Sequence, residues 1–235
     1  MRRIPLEGTR NTRDLGGYPC PGGATRWGQF LRSDNPAQLT WQDLDTLKNY
    51  GLSTVVDLRR YDECERTPSQ LDGAPHLDVH NISINNNFDI IDFEGDTPGT
   101  MAGLYITLLD DSRAEIAQVM QAMAEAEGCS LFHCAVGKDR TGVIAMLLLK
   151  LAGVDDADVI ADYAITDIYM NEIFEAQSRV FRDNQLDDYV LRSRPASMER
   201  VLRHLHDTYK TAESYLLGCG LSPETVAKLK GKLVD

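Results

Sequence analysis

Ser130-Leu131-Phe132-His133-Cys134-Ala135-Val136-Gly137-Lys138-Asp139-Arg140-Thr141-Gly142, followed at once by the apolar run Val143 to Leu149, reads as strand, tight loop and helix. Cys134 ends a short apolar run, and Arg140 stands six positions later. A glycine-bearing loop between them can turn its backbone N–H groups inward as an anion nest. The helix that follows aims its own free N–H groups at the same point, and an arginine adds a two-pronged donor. These features together predict a cradle for a tetrahedral dianion with a thiol at its floor. The same field favours the thiolate, the form in which cysteine is a nucleophile.

Other uses of these residues fit less well. Gly137-Lys138 is not a nucleotide-binding loop, because Asp139 replaces the required Ser/Thr and Phe132 stands where the first glycine belongs. His133, Cys134 and Cys129 have no matching second pair at zinc spacing, so neither metal nor other cofactor is expected.

The ten residues from His133 to Gly142 resemble the signature of the cysteine-dependent protein tyrosine phosphatase superfamily. The Gly137-Lys138-Asp139-Arg140 variant is similar to a bacterial group that includes secreted mycobacterial and listerial phosphatases. The resemblance implies Cys134 as nucleophile and Arg140 as ligand of the equatorial oxygens. The backbone of Ala135, Val136, Gly137 and Lys138 would complete the cradle, with Lys138 adding charge at the rim and Thr141 hydrogen-bonding the sulfur. It also implies a short, largely parallel α/β sheet flanked by helices, with a helical C-terminal addition. The expected substrates are phosphorylated proteins, phosphotyrosyl above all, with phosphoserine/threonine and phosphoinositides as further reach. A domain that binds phosphate without turnover is the alternative.

Upstream, Asn11-Thr12-Arg13-Asp14-Leu15-Gly16-Gly17 resembles an element that buttresses the catalytic loop in that group, which makes Arg13 and Asp14 supports; a surface ion pair competes. Arg59, after the β-branched run Ser53 to Asp57, either faces the cleft or pairs with Asp62 or Glu63. His133 is a further support through its place beside the cysteine. The group's proton donor falls here on Asn86, which cannot serve as a carboxylic acid. Asp89 is the first substitute, Asp92 the second and Asp139 the third.

The rest of the chain fits one domain over 1–235, with an α/β core in 1–153 and helices in 154–235. A hairpin is expected over Pro19 to Thr25, a strand near Trp27 to Leu31, and a helix capped by Thr40 and stopped by Gly51. A strand follows over Leu77 to Ile84, then helices from Thr97 to Leu109 and from a Ser112 capping box to Glu127. Beyond Gly153, helices are expected from Asp155, from Thr166 to about Phe181, from Pro195 and from Ser222. Ile165, Ile168, Tyr169, Met170, Ile173 and Phe174 suit a cover over the cleft, though core packing explains most of them.

Thirty-six acidic against twenty-four basic residues give a net charge of −12, which argues against nucleic acid as a partner. The N-terminal third is locally basic, with Arg2, Arg3, Arg10, Arg13, Arg26 and Arg32 able to rim the site. The longest apolar run is too short to span a bilayer, and no apolar leader core follows Met1. Five irregularly spaced cysteines suggest a reducing, cytoplasm-like compartment. Neither the choice among substrates nor the oligomeric state is written in the sequence.

Overall fold

The computed structural model describes residues 2–84, 100–183 and 188–234. Its sheet has the order β1-β4-β7-β5-β6. Here β1 is Arg13–Asp14, β4 Phe30–Ser33, β5 Leu52–Asp57, β6 Asp78–Asn81 and β7 Cys129–His133. Only β1 runs antiparallel to its neighbour. The short hairpin of β2 (Pro19–Cys20) and β3 (Gly23–Ala24) stands apart. The expected largely parallel sheet is therefore present, with β7 at its centre. Ser33 of β4 and Asp57 of β5 both register with His133, so three strands end level where Cys134 begins.

Alternation along the strands sends side chains to opposite faces. Phe30, Val56 and Phe132 join the larger core, whereas Leu31, Val55 and Leu131 join the smaller one. The smaller core lies under α1 (Trp41–Asn49), whose Thr40 and Asp43 form a capping box and which stops at Gly51 with φ +88°. The larger core holds α5 (Asp139–Leu151), buried from Val143 to Leu149, as expected of a helix apolar all round.

Around it pack α3 (Thr100–Asp111), α4 (Arg113–Glu125), α6 (Asp156–Ala164), α9 (Pro195–His204), α10 (Ala212–Gly218) and α11 (Pro223–Leu233). Asp155 and Ser222 cap α6 and α11 as anticipated.

Several boundaries differ from expectation. The fourth strand starts at Phe30 rather than Trp27, because Gly28 turns the chain at φ +73°. Ser112 precedes α4 without a side-chain cap. The helix expected from Thr166 breaks at Met170 into α7 (Thr166–Tyr169) and α8 (Asn171–Asp183). Met170 and Phe174 are core residues, while Ile168 is exposed. A six-residue helix, α2 (Tyr61–Arg66), follows β5; it buries no residue, so no apolar period announced it. No helix of the described residues is long and apolar enough to cross a membrane.

Candidate active site

Cys134 leaves β7 buried, and the chain turns through Ala135 to Lys138 before α5 starts. Four carbonyls in and beside the turn are gripped from outside. Leu58 N donates to His133 O at 2.8 Å and Asn35 N to Ala135 O at 3.1 Å. Asn11 Nδ2 donates to the oxygens of Val136 (3.1 Å) and Gly137 (3.2 Å), and Arg32 Nη2 to that of Gly137 at 2.7 Å. A peptide plane carries its N–H opposite its C=O. The N–H groups of Val136, Gly137 and Lys138 are thus aimed away from these grips, into the hollow above Cys134. Among the described residues none of the three donates to a protein acceptor.

Gly137 is the residue this path requires. Its φ is +72°, and a Cβ there would sit 2.5 Å from Ser33 O. The loop rests directly on the end of β4.

Arg140, in the first turn of α5, reaches back across the hollow. Its Nη1 and Nη2 donate to the two carboxylate oxygens of Glu63 at 2.6 and 2.9 Å, a paired geometry that fixes the guanidinium plane. Burial disfavours the charge on Arg140, but Glu63 and then the Cys134 sulfur more than offset this and hold its pKa above the ordinary value. Burial likewise opposes the charge on Glu63, and Arg140 overrides it to keep the carboxylate below its usual range. Helix α2 exists at this point in the chain to present Glu63, whose Oε2 also accepts from Arg60 N at 2.9 Å.

Two expected supports, Arg59 and Asp14, lie elsewhere than predicted. Arg59 neither faces the cleft nor pairs with Asp62 or Glu63. It is fully buried, holds both oxygens of Asp57 and donates to Thr67 O at 2.8 Å, because Asp57 is the nearer carboxylate at the strand end. Among the described residues, Asp14 makes no ion pair and no hydrogen bond to the loop. It accepts from Gly16 N and Gly28 N at 2.7 Å and from Tyr50 Oη, toward the start of β7. Arg13 is buried as well, donating to Asp162 Oδ1 at 2.8 Å and to Asn11 Oδ1 at 2.5 Å, so it acts on the loop through Asn11.

Lys138 is not a rim charge. It is 3% exposed, with Nζ donating to Val190 O at 2.5 Å and lying 3.4 Å from Asp139 Oδ1. Tyr105 Oη donates to the same Asp139 oxygen, and Tyr105 and Tyr163 share a 2.8 Å bond. Thr141 Oγ1 is buried and, among the described residues, has no hydrogen-bond partner, the Cys134 sulfur included. His133 is buried, its Nε2 3.7 Å from Asp57 Oδ2; burial depresses its pKa more than Asp57 raises it. Cys64 donates to Asp57 at 3.4 Å, and burial followed by Asp57 pushes its thiol up to about 12. Asp89, Asp92 and Asn86 lie outside the described residues.

Two arginines of the basic N-terminal third, Arg2 and Arg32, are engaged away from the rim of the cleft. Arg32 lies beneath it, and Arg2 stacks on Tyr18 and donates to Gly16 and Gly17 carbonyls. Four side chains beyond the predicted set therefore act on the loop: those of Asn11, Arg32, Glu63 and Asp162. Two carried readable signals. Arg32 interrupts the apolar strand Phe30-Leu31, and Asp162 falls on the buried stripe of α6 with Val159 and Tyr163. Among the described residues, no three His, Cys, Asp or Glu side chains gather as a metal set.

The chain is similar in sequence to known tyrosine phosphatases. The tyrosine phosphatase family matches residues 4–235. A tyrosine-protein phosphatase of Nostoc commune is 33% identical over 216 residues, covering 87% of this chain and 74% of that one. The triple specificity protein phosphatase PtpB of Mycobacterium tuberculosis is 25% identical over 100% of this chain and 99% of its own. Among solved structures, P. aeruginosa TpbA is similar at 19% identity over 58% of this chain and 68% of that chain, with a TM-score of 0.33.

Proposed function

The chain belongs to the tyrosine phosphatase family and is a cysteine-dependent phosphatase of that type; from this premise we propose how its residues divide the reaction and what they act on. Cys134 attacks phosphorus in line as the thiolate, forming the S–P bond as the P–O bond to the leaving group breaks. The inward N–H groups of Val136, Gly137 and Lys138, with Arg140, hold the three equatorial oxygens as their charge develops. A carboxylic acid protonates the departing oxygen, and water then cleaves the cysteinyl-phosphate, returning the thiolate and releasing phosphate.

We assign the proton to Asp89, with Asp92 as second candidate. Asp139 is tied to Tyr105 and Lys138 on the helix side, a role in holding Lys138 rather than in reaching a leaving group. The observation that carries the mechanism is the outward grip on the carbonyls of His133, Ala135, Val136 and Gly137, combined with the paired Glu63–Arg140 contact.

Phosphotyrosyl protein is the proposed main substrate. The triple specificity in the mycobacterial relative's name supports a reach beyond phosphotyrosine, and phosphoserine/threonine and phosphoinositide turnover are the proposed secondary activities. For a phosphoinositide, Lys138 would have to leave Val190 O to meet a second phosphate. Five free cysteines support a reducing compartment as the place of action.

The test is direct. Cys134→Ser abolishes turnover of an aryl phosphate yet still binds a phosphotyrosyl peptide, and wild-type activity survives chelators. Activity lost in chelator and restored by a divalent ion overturns the mechanism. Lys138→Met, assayed side by side, lowers phosphoinositide turnover by a larger factor than aryl phosphate turnover; equal losses remove the assignment of Lys138.

A further inference from the structure

The peptide between Gly137 and Lys138 is the weak point of the cradle. A glycine at φ +72° has nearby alternatives on both sides of the map, so this plane can rotate at little cost. Rotated, it would present a carbonyl oxygen to the phosphate in place of the Lys138 N–H. That exchanges attraction for repulsion at the point where negative charge develops.

Two side chains oppose the rotation: Asn11 Nδ2 donates to Gly137 O at 3.2 Å, and Arg32 makes the shorter bond from beneath. Arg32 Nη2 donates to Gly137 O at 2.7 Å, while its Nη1 donates to Asp162 Oδ2. The fork thus spans two acceptors, one in the loop and one on α6, in the helical part of the chain. Asp162 is itself held. It accepts from Arg13 Nε at 2.8 Å and Tyr18 Oη at 2.9 Å, and its backbone oxygen accepts from Arg13 Nη2 at 2.7 Å. Both side chains of the Arg32–Asp162 pair are 1% exposed, so water offers neither a competing partner. Burial opposes the charge on Asp162, and Arg13 with Arg32 overrides it, keeping the carboxylate well below its usual range.

We propose that Arg32 is a positioning residue which, anchored by Asp162 of α6, locks the Gly137–Lys138 peptide with its N–H facing the transferred phosphoryl group. Helix α6 is thereby part of the catalytic apparatus and not only a cover for the core. The inference rests on the phosphatase reading above and extends it to residues that never touch substrate.

Arg32→Lys keeps the charge but has one donor tip where two acceptors must be spanned. Asp162→Asn keeps an acceptor but loses the charge that fixes the fork. In the full chain, inhibition constants for vanadate, which mimics the five-coordinate transition state, are compared with those for inorganic phosphate. Neither constant depends on how much of the preparation is folded. Both variants are expected to raise the vanadate constant about tenfold or more, with kcat falling in parallel and KM and the phosphate constant moving less than about threefold.

Folded variants with the wild-type vanadate constant overturn the positioning role. Failure of both variants to fold also overturns it, because the network is then a requirement of folding alone. A wild-type protein that neither turns over aryl phosphates nor binds vanadate is a different failure, which removes the functional reading and this inference with it.

Discussion

Arg140 and Arg32 stand on opposite sides of one five-residue loop, and each is anchored to a carboxylate, yet the two anchorages differ in kind. Glu63 holds Arg140 from a short helix that buries none of its residues, and both partners keep some solvent exposure, 11% and 20% of their side chains. Asp162 holds Arg32, and Arg13 beside it, from a helix in the core, with all three side chains 1% exposed. The front anchorage is partly exposed, so water can replace a lost partner. The rear one lies where nothing can. Loss of the front contact should therefore appear in rate, and loss of the rear contact in stability as well as rate.

The largest effect that would break this contrast is Asp162→Ala. It strands two buried guanidinium groups, and removal of one member of such a set costs about 3–5 kcal/mol. Urea denaturation is expected to show that loss; a cost under about 1 kcal/mol would make front and rear equivalent. Glu63→Gln is next. A guanidinium free to swing misplaces the oxygens it should hold, so kcat/KM is expected to fall roughly 10- to 100-fold. Its stability change stays near 1 kcal/mol or below, as for partly exposed pairs. A large drop in melting temperature with unchanged kinetics would reverse the assignment.

Acid titration supplies the smallest and sharpest contrast. The folded pKa of Asp162 lies below its unfolded value, so its contribution to stability is complete above about pH 4 and is lost as pH falls toward the folded value. Wild-type melting temperature should thus decline from pH 5 toward pH 3. Asp162→Asn is expected to flatten that limb, whereas Glu63→Gln, whose pair is partly screened by solvent, changes it little. Identical limbs in both variants would show that the rear carboxylate has no special linkage to folding.

The same contrast explains what the sequence made legible. Cys134, Gly137 and Arg140 lie within seven consecutive residues, and strand, loop and helix follow one another there without interruption, so the cradle could be read locally. The sheet was also legible, since Val55-Val56 and Leu131-Phe132 are β-branched or apolar runs of strand length. The anchorages were not. Glu63 meets Arg140 across 77 positions, Arg32 meets Gly137 across 105 and Asp162 across 130. No local pattern states which buried charge will find which partner. Arg59 shows the reverse error: its neighbours Asp62 and Glu63 were in view, but the strand geometry delivers Asp57. Lys138, placed by motif alone, was assigned to solvent although Val190, 52 residues on, takes its ammonium.

Helix α6 has one more consequence, for recombination. Its consecutive residues Asp162 and Tyr163 reach different parts of the catalytic turn: Asp162 binds Arg32 below Gly137, and the Tyr163 ring lies 3.3 Å from where a Cβ on Gly142 would stand and bonds Tyr105 beside Asp139. A chimera that takes the first 150 residues from one family member and the helices from another would inherit a turn cut for a different brace. Positions 11, 13, 32, 162 and 163 would have to travel together, so the unit of exchange in this protein is a set of contacts rather than a length of chain.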